Sequence, residues 1–215
     1  MHYSTSKITA ASALFQALAY IFGFALMLTV LNPLTEESWT SEQRLFFLIE
    51  QQVLYQVWIL VIYILFGLVL IVLTSGLRIF LTKRNDLLDF SSPIFGYVWS
   101  GLVIASGMIT HVGIDQLASL FDRHPQQAAI TWSTLEMLQN GLGGGVEIVG
   151  GIWVLLVSIQ AQRQSAFPRW LIYLGMAVGL SGMLTILPGL SELGAVFGLL
   201  QIVWFLGIAR RLYRA

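Results

Sequence analysis

"VLYQVWILVIYILFGLVLIVLTSGL", residues 53–77, runs without a single Asp, Glu, Lys or Arg. Lipid offers no partner to a bare backbone N–H or C=O, so a single segment can cross it alone only as a helix that satisfies its own polar groups. About 20 apolar residues suffice for that crossing, and this stretch is long enough. Similar runs recur at about 8–31, 95–118, 140–160, 169–187 and 193–211. The sequence therefore predicts an all-α fold, a polytopic transmembrane bundle of six spans forming one integral membrane domain over 1–215. Composition agrees: 57% of residues are hydrophobic and 10% charged, against about 25% charged in a soluble domain.

Orientation follows from the loops. With a cytoplasmic N-terminus the inner side carries Lys7, Arg78, Lys83, Arg84, Arg163, Arg169, Arg210, Arg211 and Arg214, and the outer side only Arg44 and Arg123. Lys and Arg accumulate on the cytoplasmic side of membrane proteins, so both termini are expected in the cytoplasm and the first span reads as an uncleaved anchor. Tyr97, Trp99, Trp170, Tyr173 and Tyr213 would form an inner aromatic belt, and Trp39, Tyr55, Trp58 and Trp132 an outer one, while Trp153 and Trp204 fall inside spans and should pack. On the outer side Thr40-Ser-Glu-Gln43 has capping-box spacing and Pro125 stands at a first helical position. Helices two and four should thus extend beyond the bilayer on the outer face. Pro93 and Pro168 mark the entries to spans three and five.

The anomaly is Glu147 in "NGLGGGVEIVGGIW", residues 140–153. On a continuous helix the positions three and four away share its face, and these are Gly143, Gly144, Gly150 and Gly151. Each glycine inside a helix costs up to about 1 kcal/mol relative to alanine, so four of them need a reason. Either they admit a neighbouring backbone closely, or they wall a cavity that holds a ligand, water or cation against the carboxylate. The Gly141–Gly145 cluster is also able to unwind where protein or a cavity shelters it.

An intramembrane carboxylate calls for a partner, because a charge at mid-bilayer costs roughly 3 kcal/mol or more. By depth along two continuous helices, His111 on span three matches Glu147, with Asp115 one turn further out. Spans three and four are therefore expected to pack face to face around an outward-opening polar pocket. Its ligand, proton or cation-binding groups would be His111, Asp115 and Glu147, and its wall Gly143, Gly144, Gly150, Gly151 and Asn140.

Other chemistries find less support. "GLSG" at 179–182 matches the G-x-S-G string of intramembrane serine proteases, but no histidine follows residue 124 to activate Ser181. Zero cysteines exclude disulfides, thiolate nucleophiles and iron–sulfur ligation. A metal, if any, would take His111, Asp115 and Glu147, since His2 would lie across the membrane. "GLGGG" lacks the lysine of a phosphate-binding loop. The dispersed basic residues, with zero net charge, form no nucleic-acid-binding patch. The sequence leaves the cofactor unknown and the question of enzyme activity open, favouring a non-enzyme.

"AFPRWLIYLGMAVGLSGML" (166–184), preceded by "GGIWVLLVS" and followed by "FGLLQIVWFLGIARRLYR", resembles a bacterial family of small six-span membrane proteins with a domain of unknown function. The likeness lies mainly in 95–215, and its most recognisable piece is the Pro168-Arg169-Trp170-Leu171 entry to the penultimate span. It implies a helical integral membrane protein, sited in the cytoplasmic membrane of a bacterium, and assigns no functional residue. The expected partners are the lipid bilayer and a small ligand, cation or proton to be bound or transported. The alternative is an accessory subunit, in contact with another membrane protein or a second copy, whose buried polar groups only specify helix packing. An intramembrane metal-dependent enzyme is the third reading.

Overall fold

The computed structural model describes residues 2–35, 38–81 and 86–214. Lys83 and Arg84, counted above among the inner cations, lie outside these residues, as does the side chain of His2. Every regular element described is helical. In chain order they are α1 (His2–Thr29), a short 3-10 turn (Asn32–Thr35), α2 (Ser41–Glu50), α3 (Gln52–Ile59), α4 (Phe66–Leu81), α5 (Leu87–Phe121), α6 (Pro125–Gln139), α7 (Ile148–Gln164), α8 (Arg169–Leu184) and α9 (Leu193–Tyr213). Wider π-type turns join α3 to α4 at Leu60–Leu65 and extend α6 at Asn140–Gly144.

Five helical stretches are long and apolar enough to cross a membrane: Thr5–Thr29, Gln52–Leu81, Leu87–Phe121, Pro125–Gln164 and Leu193–Tyr213. The sixth candidate, α8, is apolar but has 16 residues, about 24 Å at 1.5 Å per residue. The outward faces agree with lipid as solvent. Leu14, Leu18, Leu68, Val72, Leu199 and Val203 are all exposed, far more apolar surface than a soluble monomer leaves open.

Local chemistry sets the helix ends. Thr40 Oγ1 accepts from Gln43 N–H at 3.2 Å, and Gln43 Oε1 accepts from Thr40 N–H at 2.8 Å, so the predicted capping box starts α2. Pro125 begins α6 as expected. Pro168, extended at φ −62° and ψ 147°, precedes α8. Span three begins earlier than Pro93 suggested, because the Asp86 side chain accepts from the Leu88 and Asp89 amides and caps α5 at Leu87.

That early start moves Trp99 inward. It lies twelve positions into α5, about 18 Å along the axis, and is 2% exposed rather than part of an interfacial belt. Its ring lies 5.7 Å from Phe66 and 5.7 Å from Trp153, which in turn lies 5.8 Å from Trp204. Tyr55, Trp58 and Trp132, expected in the outer belt, are likewise buried, with Tyr55 stacked on Trp58 and edge-to-face with Trp132. Trp153 and Trp204 pack as predicted, and Tyr97, Trp170, Tyr173 and Tyr213 remain exposed.

Between α7 and α8 the backbones touch. A Cβ on Gly151 would stand 2.6 Å from the Gly179 carbonyl oxygen, and one on Gly179 would stand 2.8 Å from the Gly151 carbonyl oxygen. Apolar side chains gain little by leaving lipid for protein, so helix association there depends on such close van der Waals approach. The opposite end of the bundle is tied by polar contacts. Arg163 pairs with Asp86 at 3.3 Å, Gln160 Nε2 donates to Asp89 Oδ1, and Arg211 Nε donates to the Ala166 carbonyl at 3.1 Å while its guanidinium lies 5.7 Å from the Phe80 ring centroid.

Candidate functional site

The helix expected over 140–160 breaks. Gly143 has φ 119° and ψ 21°, a conformation that excludes most L side chains. The Asn140 carbonyl then accepts from both Gly145 and Val146, at 3.2 and 3.1 Å, closing the wide turn. Helix resumes at Ile148, with Glu147 at its N-cap position. Glu147 N–H donates to Thr185 Oγ1 at 2.9 Å, and Thr185 Oγ1 donates to the Gly182 carbonyl at 2.7 Å. The hydroxyl thereby pins the restart of α7 to the end of α8.

The break corrects the picture of one carboxylate framed by four glycines on a common face. Gly150 and Gly151 lie on α7 and are packing contacts: a Cβ on Gly150 would meet the Trp99 ring at 2.6 Å, and Gly151 meets α8. Gly143 and Gly144 belong to the unwound turn and line a cavity with Glu147. Asn140 is exposed, outside that lining, and acts through its carbonyl in closing the turn. The sequence thus admitted both readings of the glycines, and the structure divides them between the two.

The cavity has a volume of about 420 Å³, within the roughly 300–1,000 Å³ range of small-molecule pockets. It does not lie between spans three and four alone. α1 contributes Tyr20, Gly23 and Phe24, the second span Trp58, Ile62, Tyr63 and Phe66, α5 only Trp99 and Val103, and α9 Gly194, Phe197 and Gly198. Ser191 and Glu192, exposed in the connection before α9, lie at its edge. Both π-type turns contribute lining residues. Such turns are rare and recur at functional sites, where they re-aim side chains within a helix.

Among the described residues, Glu147 and Glu192 are the acidic members of the lining, and no Lys, Arg or His belongs to it. Glu147 Oε2 is buried without a hydrogen-bond partner. The phenols of Tyr20 and Tyr63 line the same space. Tyr63 is held in place: Gln139 Nε2 donates to its hydroxyl at 2.9 Å, and the Gln139 carbonyl accepts from Ser106 Oγ at 3.3 Å. Trp58 is fixed by donating from Nε1 to the Gly23 carbonyl at 3.1 Å.

His111 and Asp115 are not in this cavity. Spans three and four do pack, but through Trp99, Val103 and Ser106 against Gly150, Gly143 and Gln139. Gly150 beside Trp99 and Gly143 beside Val103 bracket the level of Glu147 on α5. His111 stands eight positions beyond Val103, about 12 Å further along α5. The face carrying His111 turns to the second span: Gly107 packs against Tyr63 and Ile64, and Asp115 Oδ1 accepts from Gln52 and Gln56, each at 2.8 Å. His111 is half-buried there, with Nδ1 lacking a hydrogen-bond partner. The expected metal triad of His111, Asp115 and Glu147 is therefore not assembled. Among the described residues no group of three or more His, Cys, Asp or Glu is gathered to hold a metal ion. Ser181, in the protease-like string, spends its hydroxyl on the Val178 carbonyl at 2.8 Å.

Sequence reasoning missed Tyr20, Tyr63 and the α9 wall. Both tyrosines were visible as hydroxyls in the middle of apolar spans, a polar signal passed over in favour of formal charge. Comparison with known proteins found no matching family model, curated protein or solved structure.

Proposed function

We propose that this chain is a six-span protein of a cell membrane, the cytoplasmic membrane in a bacterium, that binds a small ligand in the central cavity and presents or carries it across. The observation that supports this most directly is the 420 Å³ cavity with a carboxylate oxygen that has no hydrogen-bond partner among the described residues. Burying an unpaired carboxylate is costly, and a group that leaves one is best understood as awaiting a partner. The distribution of Lys and Arg, nine against two, favours cytoplasmic termini. In that orientation the connection bearing Ser191 and Glu192 faces outward, and the cavity opens to that side. α8 would make the fifth crossing, its shortness met by local thinning of the bilayer or by the apolar Ile186 and Leu187 that follow it.

Mass spectrometry of the purified protein for co-purifying small molecules tests this reading, with Gly194→Trp as the control. Gly194 lines the cavity, and an added Cβ there meets nothing nearer than 3.7 Å, so the larger side chain has room to enter. A molecule present in the wild type and absent from Gly194→Trp supports a ligand site. No molecule in either, together with unchanged behaviour of Glu147→Gln, defeats it.

The rival reading, an accessory subunit whose polar residues only specify packing, is favoured by Asp115 and Gln139, whose side chains are spent on bonds between helices. It expects Glu147→Gln to be silent and Gly151→Leu to abolish assembly.

A further inference from the structure

The lining specifies the chemistry of what enters. We propose that the cavity takes a small organic cation, a substituted ammonium with an apolar body, whose charged head lies at Glu147 and whose body rests against aromatic rings. This deepens the reading of the cavity as a ligand site and rests on it.

Charge sign is the first argument. Among the described residues the formally charged side chains in the lining are Glu147 and Glu192, and no cationic side chain offsets them. Two helix N-termini, those of α7 and α9, also reach the cavity, and their partial positive charge alone would favour an anion. A glutamate stands at the N-cap position of each, Glu147 for α7 and Glu192 for α9, and neither side chain makes a capping hydrogen bond, so both carboxylates stay free to meet a cation. An anionic ligand would meet two carboxylates and no Lys, Arg or His. A lipid phosphate faces the same difficulty, which favours a free cation over a phospholipid headgroup.

The walls are the second argument. Trp58, Tyr63, Phe66 and Trp99 line the cavity together with Tyr20 and Phe197. They are locked to one another: Tyr20 and Phe66 at 5.3 Å, Phe66 and Trp99 at 5.7 Å, and Trp58 and Tyr63 at 6.0 Å between centroids. Ring faces carry negative potential, and cages of aromatic rings bind quaternary and alkylated ammonium groups. A metal ion is less suited, because hard cations take several oxygen ligands, whereas this lining is dominated by rings and aliphatic groups.

Third, Glu147 Oε2 is buried and unpartnered. A substituted ammonium beside it supplies the missing counter-charge, by N–H donation where the nitrogen carries a proton and through its polarised methyl groups where it is quaternary.

The test compares two molecules of the same shape that differ in charge, 3-hydroxyphenyltrimethylammonium and 3-tert-butylphenol, titrated calorimetrically into the full-length protein in nanodiscs. Wild type should bind the cation at least about tenfold more tightly than the neutral analogue, the scale set by one desolvated cation–π contact plus an ion pair. Glu147→Gln should erase that preference while retaining the neutral compound's affinity. Equal or tighter binding of the neutral molecule by wild type overturns the cation assignment and leaves the ligand site standing. Binding of neither overturns both. The wild-type comparison decides the matter even where Glu147→Gln fails to fold.

Discussion

At the scale of single residues, glycines with the same neighbours in sequence do unrelated work, and substitution separates them. Gly151→Ala would place a methyl group 2.6 Å from the Gly179 carbonyl oxygen and the Met183 nitrogen, both backbone atoms that cannot swing aside. Overpacking of that kind costs about 1–3 kcal/mol, so a clear fall in thermal midpoint is expected in detergent. Gly194→Ala meets nothing within 3.7 Å and should leave the midpoint nearly unchanged. Equal midpoints for the two variants would contradict the α7–α8 contact. Thr185→Val makes a parallel case, because it keeps the volume but removes the acceptor of the Glu147 amide. A buried donor left unsatisfied costs about 1–3 kcal/mol, and amide exchange should accelerate at 145–150 first. The glycine count was legible in the sequence. Which glycine touches a backbone and which borders a void was not, since that depends on the positive φ at Gly143, which no spacing rule reveals.

At the scale of elements, the sequence spoke clearly wherever the signal was local. The capping box at Thr40, Pro125 at the head of α6, and five long apolar stretches all correspond to observed features. Thr40→Ala should weaken α2 by about 1 kcal/mol, seen as faster hydrogen exchange confined to 41–50, with the spans unaffected. Protection loss that spread into α3 would mean the two helices open as one unit. Reasoning failed where an element departs from ideal geometry. Matching His111 to Glu147 by depth assumed two unbroken helices with 1.5 Å per residue. The wide turn at Asn140–Gly144 and the restart at Ile148 break that register, and the face of α5 that carries His111 meets the second span instead. Non-helical backbone at membrane depth is tolerated only in protein or beside a cavity. The break and the cavity therefore belong together, each making the other admissible.

At the scale of the whole molecule, the two ends of the bundle differ in kind. One end is closed by Arg163 with Asp86, Gln160 with Asp89, and Arg211 over Phe80. The other holds the unwound turn, the cavity and the exposed Ser191 and Glu192. Under the proposed reading, a ligand reaches the cavity from this second end. The absence of cysteine makes the sidedness directly measurable, because any thiol introduced is the sole reactive one. Ser191→Cys should react with a membrane-impermeant maleimide added to intact cells. Gln162→Cys, exposed at the opposite end, should react only after the membrane is opened. The reverse pattern would invert the proposed orientation, and labelling of both from outside would exclude a six-span arrangement. Because Ser191 borders the cavity, a bound ammonium compound should also slow its labelling while leaving that of Gln162→Cys unchanged. An identical rate with and without the compound would separate the cavity from the side to which Ser191 is exposed.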